Sequence, residues 1–123
     1  MGATKAQLTY TDWLRTHTWA QIMDPKTTAA LEWRWTRSSH LAEHGVVAYE
    51  RNYAGHIRYQ VNSESDPTRH YDLTLEAGCE CPDAYQCLNG QLLQGAPFGW
   101  CKHLFAAWRY QQWLTRECNG GSK

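Results

Sequence analysis

Two closely spaced pairs of metal-ligand residue types stand near the C-terminus of this 123-residue chain. The first pair is Cys79 and Cys81, and the second pair is Cys101 and His103. Zinc in structural sites is tetrahedral and takes cysteine sulfur and histidine nitrogen ligands, and three cysteines with one histidine are a known set. The two pairs together therefore predict one tetrahedral zinc ion per chain.

Each pair must direct both of its ligands toward the same ion. In an extended segment residues i and i+2 point to the same side, so Cys79 and Cys81 can share an ion from extended backbone. Cys101 and His103 cannot do so within a regular helix, where residues i and i+2 lie about 200° apart. We therefore expect Cys101 in the turn before a helix and His103 in its first turn, where the helix dipole favours the thiolate.

Other uses of these cysteines fit the spacing less well. A disulfide between Cys79 and Cys81 would close a small, strained ring. A catalytic cysteine needs an activating base, and the metal would already occupy His103. Since four ligands complete the tetrahedron, Cys87 is expected to be a bystander and Cys118 a free thiol. The saturated set also leaves no open position for a substrate, so no enzymatic activity is expected.

The residues beside the ligands could support the site. Asp83 follows the second cysteine and could accept a hydrogen bond from a backbone amide or from the other ring nitrogen of His103. An ordinary turn residue after Pro82 explains Asp83 equally well. Trp100 directly precedes Cys101 and could shield the ion from water.

Upstream, the sequence predicts helices. The first 23 residues suggest a short helix and a turn. Asp24 and Pro25 are typical of an N-cap and a first helical position, and Gly45 is typical of a C-terminal stop, which predicts a helix over 25–44. Small and apolar residues that recur at helical spacing should form its buried face: Leu31, Trp35, Ser38, Leu41 and Ala42.

From residue 46 the pattern changes to the alternation that is typical of strands. VVAYERNYAGHIRYQV predicts a hairpin about an Asn-Tyr-Ala-Gly turn, and YDLTLEAGC predicts a third strand. In the third strand Tyr71, Leu73 and Leu75 should face inward. A row of tyrosines could stack bases, but the alternation of Tyr49, Tyr59 and Tyr71 with polar neighbours favours the core.

These elements predict a small, single α+β domain in three parts. An N-terminal helical part covers 1–45. A three-stranded antiparallel sheet together with the zinc motif covers 46–117, and the zinc motif spans 79–103. In the zinc-anchored last helix, Leu104, Phe105 and Trp108 should be buried. A flexible tail is expected over 118–123.

Composition limits the possible partners and compartments. Twelve basic and twelve acidic side chains balance, which is far from the basic footprint of a strong nucleic-acid binder. There is no apolar run of 18 residues and no signal-peptide pattern, so we expect an intracellular, cytoplasmic protein without membrane contact. In a reducing compartment, five cysteines favour metal binding or free thiols over disulfides.

The order Cys-x-Cys, then Cys-x-His after a longer gap, resembles the SWIM-type zinc finger. CECPD at the first pair and CKHLFAAW at the second carry the resemblance, and LAEHGVVAYE followed by HIRYQV is similar to the lead-in of bacterial SWIM proteins. The 19 residues between Cys81 and Cys101 make a long gap for this family. The resemblance implies that 46–117 contains a β-β-α zinc finger with the same four zinc ligands, and it implies a role in DNA binding or protein–protein contact.

Two functions follow as hypotheses. The first is a nucleic-acid-binding module of a recombination, transposition or related complex, and the second is a protein–protein adaptor with a purely structural zinc. Neutral net charge favours the adaptor, whereas the resemblance and the basic last helix favour nucleic acid. The candidate nucleic-acid contacts are Lys102, Arg109, Arg116, Arg34 and Arg37.

One further pair could bind a ligand. His40 and His44 lie four residues apart on the predicted helix, a spacing that can hold a metal. Together with Arg37 they could instead face phosphate. A solvated helix face with a histidine at its C-terminal end is the simplest interpretation.

Overall fold

The computed structural model describes residues 8–22, 25–51, 55–66, 68–81 and 100–120. In chain order its elements are α1 (Tyr10–Thr16), a short 3-10 helix (Thr18–Ile22), α2 (Pro25–His44), β1 (Val46–Arg51), β2 (Ile57–Asn62), β3 (His70–Leu73) and α3 (Lys102–Gly120). The strands form one antiparallel sheet in the order β1-β2-β3. The predicted small α+β fold, with N-terminal helices, a three-stranded sheet and a C-terminal helix, is confirmed.

Helix α1 begins with a reciprocal cap. The Thr9 hydroxyl accepts from the Asp12 amide at 3.2 Å, and the Asp12 carboxylate accepts from the Thr9 amide at 2.8 Å. Both bonds satisfy amides that the first helical turn leaves without a helical partner. Trp13 is fully buried, with its ring 4.8 Å from Phe105 and 5.2 Å from Trp100. The short N-terminal helix therefore packs against the start of α3.

Helix α2 has the predicted bounds, and all five residues of its predicted inner face are buried. The Gly45 amide donates to the Leu41 carbonyl at 2.7 Å and closes the helix. A Cβ at Gly45 would lie 3.1 Å from Leu41 Cδ2 and 3.3 Å from the Leu41 oxygen. Gly45 therefore ends the helix where a larger residue would crowd its last turn. The predicted N-cap, Asp24, lies outside the described residues.

The sheet turns one face toward the helices. Val46 lies opposite Val61, and Ala48 lies opposite Tyr59, which is fully buried. Because neighbouring residues of a strand point to opposite faces, Val47 faces out and is 56% exposed. The inner face of the sheet therefore covers part of the core.

Tyr49 does not join that core, so this part of the tyrosine prediction is wrong. The register between β1 and β2 shifts between Ala48 and Glu50, and Tyr49 is the extra residue of this irregularity. Its ring is 39% exposed, its hydroxyl donates to Asp72 at 3.5 Å, and the Arg58 guanidinium lies 5.2 Å from its centroid. Period-two alternation cannot reveal such a bulge. The predicted turn residues 52–54 lie outside the described residues.

Helix α3 contacts both α2 and the sheet, and its first half is buried. Its predicted inner residues Leu104, Phe105 and Trp108 are buried, and it packs against α2, where Trp35 lies 5.4 Å from the Phe105 ring. The helix continues to Gly120, into the segment that was predicted to be a flexible tail. Residues 121–123 lie outside the described part of the chain.

Arg109 lies in this interface, and its burial contradicts the expectation of a nucleic-acid contact. The side chain is 2% exposed, Nη2 donates to the Trp35 carbonyl at 3.0 Å, and Cζ lies 3.8 Å from the centroid of the Trp35 ring. Burial lowers the pKa of Arg109 to about 10, so the guanidinium stays charged at neutral pH. Arg109 therefore joins α3 to α2 through a carbonyl and an aromatic face.

We expect Arg109→Ala to lower the free energy of unfolding by about 2–4 kcal/mol, because it removes a buried hydrogen bond, a cation–π contact and core volume. Arg116→Ala, on an exposed position of the same helix, is the control and should change it by less than about 0.5 kcal/mol. Urea unfolding of both zinc-loaded variants measures the difference. Equal effects would contradict a structural role for Arg109.

Candidate metal centre

The four predicted zinc ligands meet at one point between β3 and α3. One ligand atom from each of them lies within 4.8 Å of every other. All four side chains are buried, from 0% exposed at Cys101 to 7% at Cys79. The Cys101 sulfur lies 3.8 Å from His103 Nδ1. Tetrahedral zinc bonds of about 2.3 Å to sulfur and 2.0 Å to nitrogen separate ligand atoms by about 3.5–3.8 Å. This cluster can therefore hold a metal ion with little adjustment, and its donors suit zinc.

A tight turn presents the first pair. β3 ends at Leu73, and the Gly78 amide donates to the Thr74 carbonyl at 2.9 Å. Gly78 has φ +86°, a left-handed conformation that costs other residues about 1–2 kcal/mol. The predicted third strand was therefore too long, because Leu75 lies in this turn. Directly after it, Glu80 is exposed between two buried cysteines, as expected for i and i+2 ligands.

The start of α3 presents the second pair. The helix begins at Lys102, and the Phe105 amide donates to the Cys101 carbonyl at 3.0 Å. Cys101 therefore directly precedes the helix and His103 lies in its first turn, as the spacing predicted. The positive end of the helix dipole faces this pair and stabilises thiolate charge. Trp100, which was expected to shield the ion, is 4% exposed beside Cys101.

The imidazole of His103 is placed as a metal ligand requires. Its Nδ1 faces the Cys101 sulfur, and the Tyr71 ring lies 4.6 Å from the His103 ring. Its Nε2 is buried without a hydrogen-bond partner among the described residues. In the tautomer that carries its hydrogen on Nε2, the Nδ1 lone pair is available to a metal. Asp83, the predicted partner of the second nitrogen, lies outside the described residues.

The thiols need a cation in order to ionise. A hydrogen bond with Cys101 lowers the pKa of Cys79, but a hydrogen bond with Cys81, burial and the Cys81 charge raise it to about 12. Burial, followed by hydrogen bonds and charge repulsion from the other two sulfurs, raises the pKa of Cys101 well above its usual value. Without an ion both thiols are therefore protonated at neutral pH, and metal binding must displace their protons.

An ion-pair network links the second ligand pair to α2. Lys102 Nζ lies 2.6 Å from Glu64 Oε1, and Arg37 Nη2 lies 2.9 Å from the same oxygen. Burial is the largest single influence and opposes ionisation, but the hydrogen bonds and charges of Lys102 and Arg37 together outweigh it and lower the pKa of Glu64. Lys102 lies between the ligands Cys101 and His103. The Glu64 carboxylate thus connects this ligand pair to Arg37 of α2, which is 27 residues from Glu64 in sequence. No sequence signal singled out Glu64 within the polar segment NSESDPTRH.

The five candidate nucleic-acid contacts do not form one basic surface. Arg109 is in the core, and Lys102 and Arg37 share a single carboxylate. Arg34 is half-buried, and its Nη1 donates to a carbonyl of its own helix at 3.0 Å. Arg116 is exposed near the far end of α3. The four metal ligands converge on one point, whereas the five cations are divided among the core, the Glu64 ion pairs and the surfaces of α2 and α3.

No protein-family model, curated protein or solved structure matches this chain. No helix in the described part of the chain is both long and apolar enough to cross a membrane.

The protein purified without chelator should contain about one zinc per chain. Cys81→Ser should lose most of it, because three ligands hold zinc far more weakly than four. Cys118→Ser and Cys87→Ser are the controls and should retain the metal. Elemental analysis measures zinc per chain. Folded wild-type protein without metal would contradict the assignment, and loss of zinc from Cys87→Ser would mean that the tetrahedron includes a different ligand.

Zinc binding should release protons, because the thiols of Cys79 and Cys101 are protonated in the absence of an ion. We expect about two to three protons per zinc at neutral pH, and an apparent affinity that rises about 100- to 1000-fold per pH unit. Since the pKa values are raised, release should persist near pH 9.5, where ordinary thiols are largely ionised. Calorimetry in paired buffers of different ionisation enthalpy measures the protons. Release that falls to zero by that pH would contradict the raised pKa values.

Proposed function

We propose that this chain is a non-catalytic module that folds around one structural zinc ion and binds a protein partner. Four donors are the number that a tetrahedral structural zinc takes, and an ion held by these four buried donors would have no coordination position left for a substrate. We further propose that it is a divergent SWIM-type zinc finger. The ligand order and the ligand pair at the start of the last helix support this proposal.

The observation that carries the proposal is the exposed tryptophan on the outer face of α2. Trp33 and Val47 are each 56% exposed, the highest value among the large apolar side chains of the described residues. The Arg37 guanidinium lies 4.7 Å from its ring centroid, and that of Arg34 lies 6.0 Å away. Tryptophan and arginine are the side chains that most often dominate binding energy at protein interfaces. This group, which we call the Trp33 patch (Trp33, Arg34 and Arg37), is therefore the proposed contact surface.

Charge favours a protein over a nucleic acid at this surface. Phosphate binding gains free energy by releasing counterions, and that gain grows with the number of uncompensated cations. The chain is neutral, Arg109 is buried, and Glu64 compensates part of the charge of Arg37 and Lys102. A protein interface with a tryptophan anchor does not require such an excess of cations.

Nucleic acid remains a second candidate function, and the Trp33 patch itself favours it. An exposed tryptophan flanked by two arginines can stack on a base of a single strand. A role in recombination or transposition, as the SWIM resemblance implies, would use such a contact. With two or three phosphate contacts, the log–log salt dependence of binding would have a slope of only about −2.

One experiment compares Trp33→Ala with Tyr49→Ala, which removes an aromatic ring from the sheet instead. Affinity capture from the source cells should recover a protein partner with both the wild type and Tyr49→Ala. Treatment with nuclease should not prevent this capture. The isolated partner should bind Trp33→Ala about 30-fold more weakly, which corresponds to about 2 kcal/mol for an interface tryptophan. Each variant must retain one zinc per chain.

Two results would contradict the protein-partner proposal. If capture requires intact nucleic acid, and a fluorescent single strand binds the wild type but not Trp33→Ala, the nucleic-acid function replaces it. If the partner binds Trp33→Ala and the wild type equally well, the Trp33 patch is not the contact surface.

A further inference from the structure

A second group of metal-ligand side chains lies at the C-terminal end of α2, away from the cysteine cluster. His40 and His44 are separated by one helical turn, and their ring centroids lie 4.9 Å apart. Both imidazoles are exposed and line a cleft of about 230 Å³. Asn62, Ser63 and Glu64 form the opposite wall of this cleft. Two imidazoles and one carboxylate therefore face a single solvent-accessible space.

The backbone holds the two walls of the cleft in place. The Asn62 amide donates to the Gly45 carbonyl at 2.8 Å, which joins the end of β2 to the end of α2. Gly45 lacks a side chain, and a Cβ there would lie 3.5 Å from the Asn62 Cβ. The cleft is thus set by a close contact between a helix end and a strand end.

The donors at this cleft favour a cation. Imidazole nitrogen is a good ligand for zinc, copper and nickel, and histidines at i and i+4 can bind one ion from the same helix face. The C-terminal end of α2 carries the negative end of the helix dipole. Arg37, which could have paired with these histidines to hold phosphate, donates to Glu64 instead. Both ion pairs of Glu64 use Oε1, so Oε2 offers lone pairs to a further cation.

We propose that His40 and His44, with Glu64 as a third ligand, form a second site for a divalent ion of the zinc, copper and nickel class. In the described residues, only the cysteine cluster has its ligand atoms gathered at metal-binding distance. The exposed imidazoles must therefore turn before they bind, and the second ion is weaker and exchangeable. Glu64 also binds Lys102, which lies between the ligands of the first site, Cys101 and His103. Metal at the second site therefore acts on the Glu64–Lys102 ion pair.

The test is a calorimetric titration of the full-length, zinc-saturated protein with zinc and, separately, with nickel. We expect a second equivalent of metal that binds more weakly than the first. His40→Ala and His44→Ala should each weaken it about 10- to 100-fold, and the double variant should abolish it. Glu64→Gln should weaken it as well. Alanine suits an exposed helix position, so these variants are expected to fold.

The matched controls are His56→Ala and His70→Ala. Each of these histidines is partly exposed and lies near one carboxylate, at 3.9 Å from Glu76 and 4.0 Å from Asp72. Neither control should change the affinity for the second equivalent of metal, because each of these histidines lacks a second histidine one helical turn away. Nickel should also broaden the proton NMR signals of the His40 and His44 rings before those of the controls. A second equivalent that persists in the His40→Ala, His44→Ala double variant, or the absence of any second equivalent, would overturn the proposal.

Discussion

Buried thiolates repel one another, and any ion bound at the cysteine cluster must overcome this repulsion. Three sulfurs and one imidazole converge in a space from which water is excluded, and burial together with the neighbouring sulfurs holds the Cys79 and Cys101 thiols in their protonated form. A divalent cation changes this balance, because it neutralises the thiolates and bonds to all four donors at once. The free energy of such a site is on the order of 10–16 kcal/mol, comparable to the whole stability of a small domain. The ion would thus fix the turn after β3 against the first turn of α3.

The aromatic core holds the helix that carries half of the site. Trp13 from α1 and Trp35 from α2 both pack against Phe105, two residues after the ligand His103. Arg109 adds a charged contact one turn further along, and the Glu64 carboxylate holds Lys102 from the other side. The N-terminal helices are therefore part of the support of the metal site, although they supply none of its four ligands.

The use of charge inside the molecule shapes what its surface can bind. In this neutral chain several cations already have intramolecular partners. Arg109 joins α3 to α2, and Arg37 and Lys102 both bind the Glu64 carboxylate. What remains on the outer face of α2 is a tryptophan with guanidinium groups near its ring, which offers apolar area and directional donors. Such a surface suits recognition by shape and anchoring more than long-range attraction of a polyanion.

Features that depend on near neighbours along the chain could be predicted from the sequence. The pairing of Cys79 with Cys81 follows from the two-residue repeat of extended backbone. The bounds of α2 follow from the backbone preferences of proline and glycine, and its buried face follows from the 3.6-residue repeat of the helix. The positions of Tyr49, Arg109 and Glu64 depend on tertiary contacts and could not be predicted in this way. A bulge in strand pairing placed Tyr49 outside, the packing of α3 on α2 enclosed Arg109, and Glu64 meets partners 27 and 38 residues away. Local periodicity does not specify which faces meet across the core, so these positions depend on contacts that form only when the chain is folded.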